Sequence, residues 1–258
     1  VLHPNVPKLL EFQQIKRQSI LVMERAKGID FEKYSLQFGP LPPRLIIKIA
    51  IQLCEILSFL RAFSQGGVLK PIVHGDIKPS NLVWDSDNEA VSLIDWGSCV
   101  FAQIDTSGQT ITTNVMDLMS SDLQETNARL GDVYFIGEDQ LNGQLSSPRF
   151  DEQGLASTLY ALASGQSSRY GRLAIPPSAL GLPKEFAMVL QMLISDERRE
   201  REQAGDYLLA NYPRFRHFVF AKDEVNESPC MVPTWVHQEV KDIETVVYSS
   251  RKSYLRQQ

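Results

Sequence analysis

The chain has 258 residues, 43% of them hydrophobic and 22% charged, with a formal net charge of −5. This composition suits one large globular domain or two modest ones and argues against a disordered chain or a coiled coil. With no long basic run, it also argues against a nucleic-acid surface as the main business of the chain. The longest strongly apolar stretch, Leu45 to Leu60, is interrupted by Lys48, Gln52 and Glu55. It falls short of the roughly 20 apolar residues that a bilayer requires, so no membrane span is expected.

Val1 to Asn5 lack the basic start and apolar core of a secretion signal, and a chain beginning at Val1 reads as a mature product or a fragment. Two short strands follow, one within Val6 to Gln14 and one over Ser19 to Met23, joined by a turn at Gln14 to Gln18. Gly28 breaks that pattern, Asp30 is placed to cap a helix over Phe31 to Phe38, and Gly39-Pro40 ends it. After Pro42-Pro43, Leu45, Ile46, Ile49, Leu53, Ile56, Leu57 and Leu60 recur at three- and four-residue intervals. A helix with one side buried is predicted, with Arg44, Lys48, Gln52 and Glu55 mostly elsewhere. The rhythm then changes to short apolar pieces, Ile72-Val73, Asn81 to Trp84 and Val91 to Ile94. The last two flank the polar turn Asp85 to Asn88 and predict a hairpin. Ala102 to Ala128 has no convincing period and predicts a long exposed loop. Helices are expected over Asp151 to Ser164, Lys184 to Ile194 and Arg201 to Ala210, and the stretch from Phe215 on reads as an appended helix or a docking tail. The three cysteines, Cys54, Cys99 and Cys230, are odd in number and in no metal-ligand spacing, which fits a reducing cytoplasm better than a disulfide framework or a zinc site.

Two polar clusters each follow an apolar strand-like piece: His74-Gly75-Asp76-Ile77-Lys78-Pro79-Ser80-Asn81 and, beyond the hairpin, Asp95-Trp96-Gly97. Phosphoryl transfer from ATP needs a carboxylate that orients the attacking hydroxyl and takes its proton, and oxygen ligands that hold magnesium against the triphosphate. Asp76 is the candidate base, and Lys78 the candidate cation beside the transferred phosphate. Asn81 and Asp95 are the candidate ligands of Mg2+.

These clusters resemble the catalytic loop H-R-D-x-K-P-x-N and the metal loop D-F-G of eukaryotic-like (Hanks-type) serine/threonine protein kinases. The resemblance extends further. His3 to Leu9 is similar to the family's entry into its fourth strand, Met23-Glu24-Arg25-Ala26 to its hinge, and Tyr134 to Glu138 to the Y-x-A-P-E that ends its activation segment. Asp151 to Gly165 resembles its central buried helix. The resemblance implies an α+β, protein-kinase-like fold with a mainly helical large lobe and only the last strands of a small β lobe. It divides the chain into residues 1–27 as small-lobe remnant and hinge, 28–214 as the helical lobe, and 215–258 as an extension or docking tail. It further implies adenine hydrogen-bonded to the hinge backbone at Glu24 and Ala26, with Met23 as gatekeeper, Asp30 near the ribose and Val83 beneath the ring. Asp151 would brace the catalytic loop, Leu9, His74 and Trp96 would stack as a spine, and Glu138 would pair with Arg201. ATP and Mg2+ are the implied cofactors and proteins the implied substrates, and Lys78-Pro79 is the pattern of the Ser/Thr class.

The sequence also departs from the family. The glycine-rich lid, the strand lysine and its glutamate partner should all precede His3. Gly75 stands where an arginine usually receives an activation-loop phosphate, and Gly131-Asp132-Val133 supplies no threonine before Tyr134. Two further classes therefore stay open. Aminoglycoside and choline phosphotransferases share this chemistry and carry a glycine at Gly75, and a non-catalytic pseudokinase or binding module would need no lid.

Overall fold

The computed structural model describes residues 2–16, 18–103, 131–168, 173–219, 230–234 and 244–248. Beyond Gln103, the loop expected to run to Ala128 lies outside the described residues. The chain divides into two compact units, Val1–Arg216 and His217–Gln258. In the second unit the described part after residue 219 is an antiparallel pair, Cys230–Thr234 with Glu244–Tyr248.

The first unit opens with a two-stranded antiparallel hairpin, β1 (Leu9–Ile15) and β2 (Gln18–Met23), with a register shift between Leu9 and Glu11. The segment before it is fastened to the body of the unit by Asn5. Its carbonyl accepts from Leu93 N–H at 2.9 Å, and its side-chain amide donates to Gln52 Oε1 and to the Val91 carbonyl. His3, with no partner legible in the sequence, lies against the Phe59 ring at 5.3 Å.

The strand β3 (Ile29–Asp30) leads into helix α1 (Phe31–Phe38), whose first turn is capped as expected, with Lys33 N–H donating to Asp30 Oδ1 at 2.9 Å. Gly28 makes the entry possible. It sits at φ +117°, and a Cβ there would lie 1.9 Å from the Trp84 carbonyl oxygen, so only a glycine allows β3 to reach its neighbour. Helix α2 (Pro43–Arg61) has Pro43 in its first turn, where the missing N–H costs nothing. It is more enclosed than its pattern predicts. Besides the expected stripe, Ile47, Ala50, Ile51 and Cys54 are also buried, because the helix is packed on several sides and not against one sheet.

A small hairpin, β4 (Ser64–Gln65) and β5 (Val68–Leu69), turns through Gly66-Gly67, both at positive φ, and has no counterpart in the sequence reading. Then β6 (Ile72–Val73) pairs with β9 (Val100–Phe101). Between them stands the expected hairpin, β7 (Leu82–Asp85) and β8 (Ala90–Leu93), with Leu82 opposite Leu93 and Asp85 opposite Ala90. Asp85 closes the turn by accepting from the Asp87 and Asn88 backbone and the Asn88 side chain. Addition of β3 gives a sheet in the order β3-β7-β8.

Among the described residues of the unit, four further α-helices follow. They are α3 (Glu138–Leu141), α4 (Pro148–Ser164), α5 (Lys184–Leu193) and α6 (Arg198–Asn211). The helix α4 is capped by Ser147 and ends at Gly165 in the left-handed conformation. One side of it carries Glu152, buried and held by Arg149 and Arg61, each at 3.0 Å, while both arginines also reach Asp206 of α6. Burial raises the Glu152 carboxyl above its usual range, and the two guanidinium groups pull it back.

Replacing Gly28 with Ala is expected to lower unfolding stability by at least about 2 kcal/mol, through a strained φ and displacement of the Trp84 backbone. A shift of the urea midpoint, with unchanged slope, checks it.

Candidate active site

The candidate site stands at one end of the β7-β8 hairpin. Since Leu82 faces Leu93, the residues just outside the ladder, Asn81 and Ile94, are neighbours, and Ile94 N–H donates to the Asn81 carbonyl at 2.9 Å. The hairpin thereby carries the end of the 74–81 loop and the start of the 95–97 loop to the same place. His74 Nε2 lies 3.1 Å from the Ile94 carbonyl, and its ring meets Trp96 edge-on at 4.9 Å between centroids.

Helix α4 supports the first loop from below. Asp151 Oδ2 accepts from His74 N–H and Oδ1 from Gly75 N–H, both at 2.8 Å. Seven residues on, Thr158 donates its hydroxyl to the Ile77 carbonyl, and between them Gly154 would bring a Cβ within 3.2 Å of that carbonyl. These three positions share one helical face, so a single element sets the loop's height and direction. The brace expected of Asp151 is present. Burial raises its carboxyl to about 7, against the pull of the two N–H groups. Burial also lowers His74 to about 4, so the ring is neutral near pH 7.

Asp76, Lys78 and Asn81 come together. Asp76 Oδ2 accepts from Lys78 Nζ at 2.9 Å and from Asn81 Nδ2 at 3.0 Å, and Asn81 Nδ2 also reaches the Asp76 carbonyl at 2.8 Å. Burial works against the Lys78 ammonium, yet the hydrogen bond and charge of Asp76, together with Asp132 and Asp95, hold it above its usual value. Asp95 is exposed, in the left-handed conformation at φ 61°, with Oδ1 accepting from Gly97 N–H at 3.4 Å. Trp96 turns inward and donates its indole N–H to the Leu93 carbonyl. With Asn81 Nδ2 spent on Asp76, its Oδ1 is the atom left for a cation, and the exposed Asp95 carboxylate is a second hard oxygen donor. That set fits magnesium, which takes one or two protein oxygens and completes its shell with phosphate and water.

On the hinge side, Glu24 N–H donates to the Lys8 carbonyl at 2.8 Å, which carries the β1-β2 pairing one step past Met23. Asp30 and Val83 are register partners across β3 and β7, and Val83 is buried. The Asp30 carboxylate is already engaged by the Lys33 backbone and ammonium, so a ribose hydroxyl would share it with the helix cap.

Two expectations are corrected. Leu9 is 52% exposed and does not join His74 and Trp96, because the β1-β2 hairpin presents apolar side chains to solvent. The acid that meets Arg201 is Asp139, at 3.2 Å, and not Glu138, which is exposed in the first turn of α3. This moves the register of the Y-x-A-P-E comparison by one residue, and Gly131-Asp132 then stands in place of glycine-threonine. Asp132 and Gln140 are site residues that the sequence reading missed. The Asp132 backbone N–H donates to Asp76 Oδ1 at 3.1 Å, and Gln140 Nε2 donates to the Gly75 carbonyl at 2.7 Å. The Gly131-Asp132 pair was the available signal, hidden by the register.

The loop that carries Asp76, Lys78 and Asn81 is thus braced by a buried helix aspartate, with the Asp95 loop delivered by a hairpin to its side. The family described as protein kinase domain matches residues 1–172, and the chain belongs to that family. It is 25% identical over 173 residues to serine/threonine-protein kinase PrkC of Bacillus subtilis, covering 67% of this chain and 23% of that one. It is also 26% identical over 201 residues to serine/threonine-protein kinase PknB of Mycobacterium tuberculosis, covering 72% and 29%. The chain thus spans less than a third of the length of these curated relatives. Among solved structures, the Cydia pomonella granulovirus kinase PK-1 shares the fold with a TM-score of 0.58 at 16% identity, over 82% of this chain and 76% of that one.

Substitution of Asp151 by Ala leaves two buried N–H groups unpaired and is expected to cost about 3 kcal/mol of unfolding free energy, measurable by urea titration. For His74 the sign follows from a folded-state value of about 4 below the ordinary 6.5. The unfolded chain binds the proton first, so stability is full above pH about 6.5 and falls as pH drops toward 4. Urea titrations at pH 5 and 7.5 should show a larger loss for the wild type than for His74→Phe.

Proposed function

We propose that this chain transfers the γ-phosphoryl group of Mg2+-ATP to serine or threonine hydroxyls of protein substrates. The observation that carries the reading is the convergence of Lys78 and Asn81 on one oxygen of Asp76, with the Asp95 loop delivered to the same end of the hairpin. Asp76 Oδ1 holds the Asp132 N–H and Oδ2 holds Lys78 and Asn81, so a carboxylate with about four lone-pair sites has one left for the substrate hydroxyl. The hydroxyl oxygen attacks the γ-phosphorus, the bond to the β,γ-bridging oxygen breaks, ADP leaves, and the hydroxyl proton passes to Asp76. Lys78, beside Asp76, screens the charge that gathers on the phosphoryl oxygens. Asn81 and Asp95 would hold magnesium, which would supply charge neutralisation at the phosphates.

In this reading the backbone of Glu24 and Ala26 meets the adenine edge, Met23 guards the back of the pocket, Val83 forms its floor, and Asp30 borders the ribose. Residues 1–27 serve as small-lobe strands and hinge, 28–214 as the catalytic lobe and 215–258 as an extension. Among the described residues no helix is long and apolar enough to cross a membrane. The cysteine usage supports a cytoplasmic setting.

Labelled phosphate should pass from Mg2+-ATP to a mixture of proteins. Asp76→Asn should lower kcat by about 10²- to 10⁴-fold with nucleotide affinity retained, and Asp95→Ala should abolish the magnesium dependence of binding. Transfer to an aminoglycoside or choline in place of protein would overturn the substrate class. Wild-type transfer no greater than that of the Asp76→Asn protein would overturn catalysis.

A further inference from the structure

Outside the site already described, an open pocket of about 490 Å3 lies between the segment that leads into α3, helix α4 and the turn that joins α5 to α6. One wall holds Gln153, a side chain only 7% exposed, whose Oε1 has no hydrogen-bond partner among the described residues. A Cβ at Gly137 would overlap that oxygen, so the amide has its place in the wall only because residue 137 is a glycine. A buried acceptor without a donor is unfavourable, and its retention points to a donor that arrives from outside. Glu138 and Asp196 also line the pocket. Both are exposed, and neither side chain is in an ion pair among the described residues. Arg201 lines it too, but its guanidinium is spent on Asp139 at 3.2 Å and on the Ser195 and Asp196 carbonyls. Ile136 and Leu193 supply apolar surface.

Apolar walls, an unmet amide oxygen and two free carboxylates suit a long cationic side chain, whose stem lies on apolar surface while its head stays among polar groups. A guanidinium fits better than an ammonium. Its planar fork of donors serves an amide oxygen and a carboxylate together, and it is more weakly hydrated. We propose that this pocket receives an arginine of the protein substrate, and that Gln153, Glu138 and Asp196 thereby select substrates with an arginine a few residues from the phosphorylated hydroxyl. The inference rests on the kinase reading for the substrate, whereas binding of an arginine side chain stands apart from it. Glu138 is two residues from Gln140, whose amide reaches the Gly75 carbonyl, so the pocket lies on the order of 15 Å from Asp76. An extended peptide covers that distance in about four or five residues.

The test uses the full chain and a set of labelled serine peptides in which one arginine is moved stepwise through about five positions on either side of the serine. A matching set carries citrulline, which keeps the planar shape and loses the charge. Fluorescence anisotropy without nucleotide reads binding, and initial rates with Mg2+-ATP read transfer. At one position the arginine peptide should bind about tenfold or more tightly than its citrulline twin, and the preference should appear in KM with kcat changed by less than about threefold. Glu138→Gln combined with Asp196→Asn should erase the preference and leave the citrulline peptide within about twofold of its wild-type affinity. Gln153→Met should weaken arginine binding while the urea midpoint stays unchanged or rises, because the free protein gives that amide oxygen no partner to lose; a merely structural glutamine would lower the midpoint. No preference for arginine over citrulline at any position, or a preference that survives the double substitution, would overturn the assignment. Arginine-selective binding that depends on the two carboxylates, without phosphate transfer to any peptide, would instead sink the kinase reading and leave the pocket in place.

Discussion

Everything in the site hangs from the two hydrogen bonds that Asp151 accepts from His74 and Gly75. A carboxylate this deep in apolar surroundings is unfavourable in isolation, and its retention depends on both oxygens finding donors. Those donors belong to a loop that has no regular secondary structure of its own to satisfy them. The arrangement therefore solves two problems at once, because the loop's orphan N–H groups and the helix's buried charge are each other's only economical partners. Gly154 and Thr158 extend the same logic along the helix face. One removes bulk where the Ile77 backbone comes close, and the other supplies a donor to its carbonyl.

The second constraint is the hairpin between the two functional loops. Antiparallel register fixes which residues leave the ladder side by side, so Asn81 and the approach to Asp95 meet at one end whatever the surface turn at Asp85 to Asn88 contains. His74 then links both loops, with its backbone on Asp151, its ring nitrogen on the Ile94 carbonyl and its ring in a T-shaped contact with Trp96. Its burial keeps the ring neutral, which suits a structural hinge pin better than a proton carrier.

From the other side the loop is closed by the segment that leads into α3. A carboxylate whose oxygens are both engaged, as those of Asp76 are, has little orientational freedom left. The Arg201–Asp139 pair is remote from Asp76, yet it locates the helix from which Gln140 reaches the Gly75 carbonyl. Long-range geometry and local chemistry thus meet at a residue without a side chain.

Much of this was legible in the chain itself. The two acidic motifs, the hairpin turn, the Asp30 cap and the long apolar helix are all encoded in near neighbours, where spacing and turn chemistry act over a few residues. The same is true of Asp151, through the helix that follows it. Other features depended on contacts between distant segments, which periodicity does not carry. Periodicity assigned α2 one buried side because it counts residues on a helix and not the neighbours around it. The kinase resemblance offered Leu9 to a spine although the hairpin leaves that residue open to solvent, and it placed the acid partner of Arg201 one residue early. The motifs, and the kinase resemblance that they carry, implied an α+β protein with the candidate residues of phosphoryl transfer in order. Only tertiary packing decided which atoms of Asp76 remain free, that Asp139 meets Arg201, and that Asp132 and Gln140 close the loop. Hydrogen bonds across 56 and 65 residues form only once the helices have set the distance between their ends.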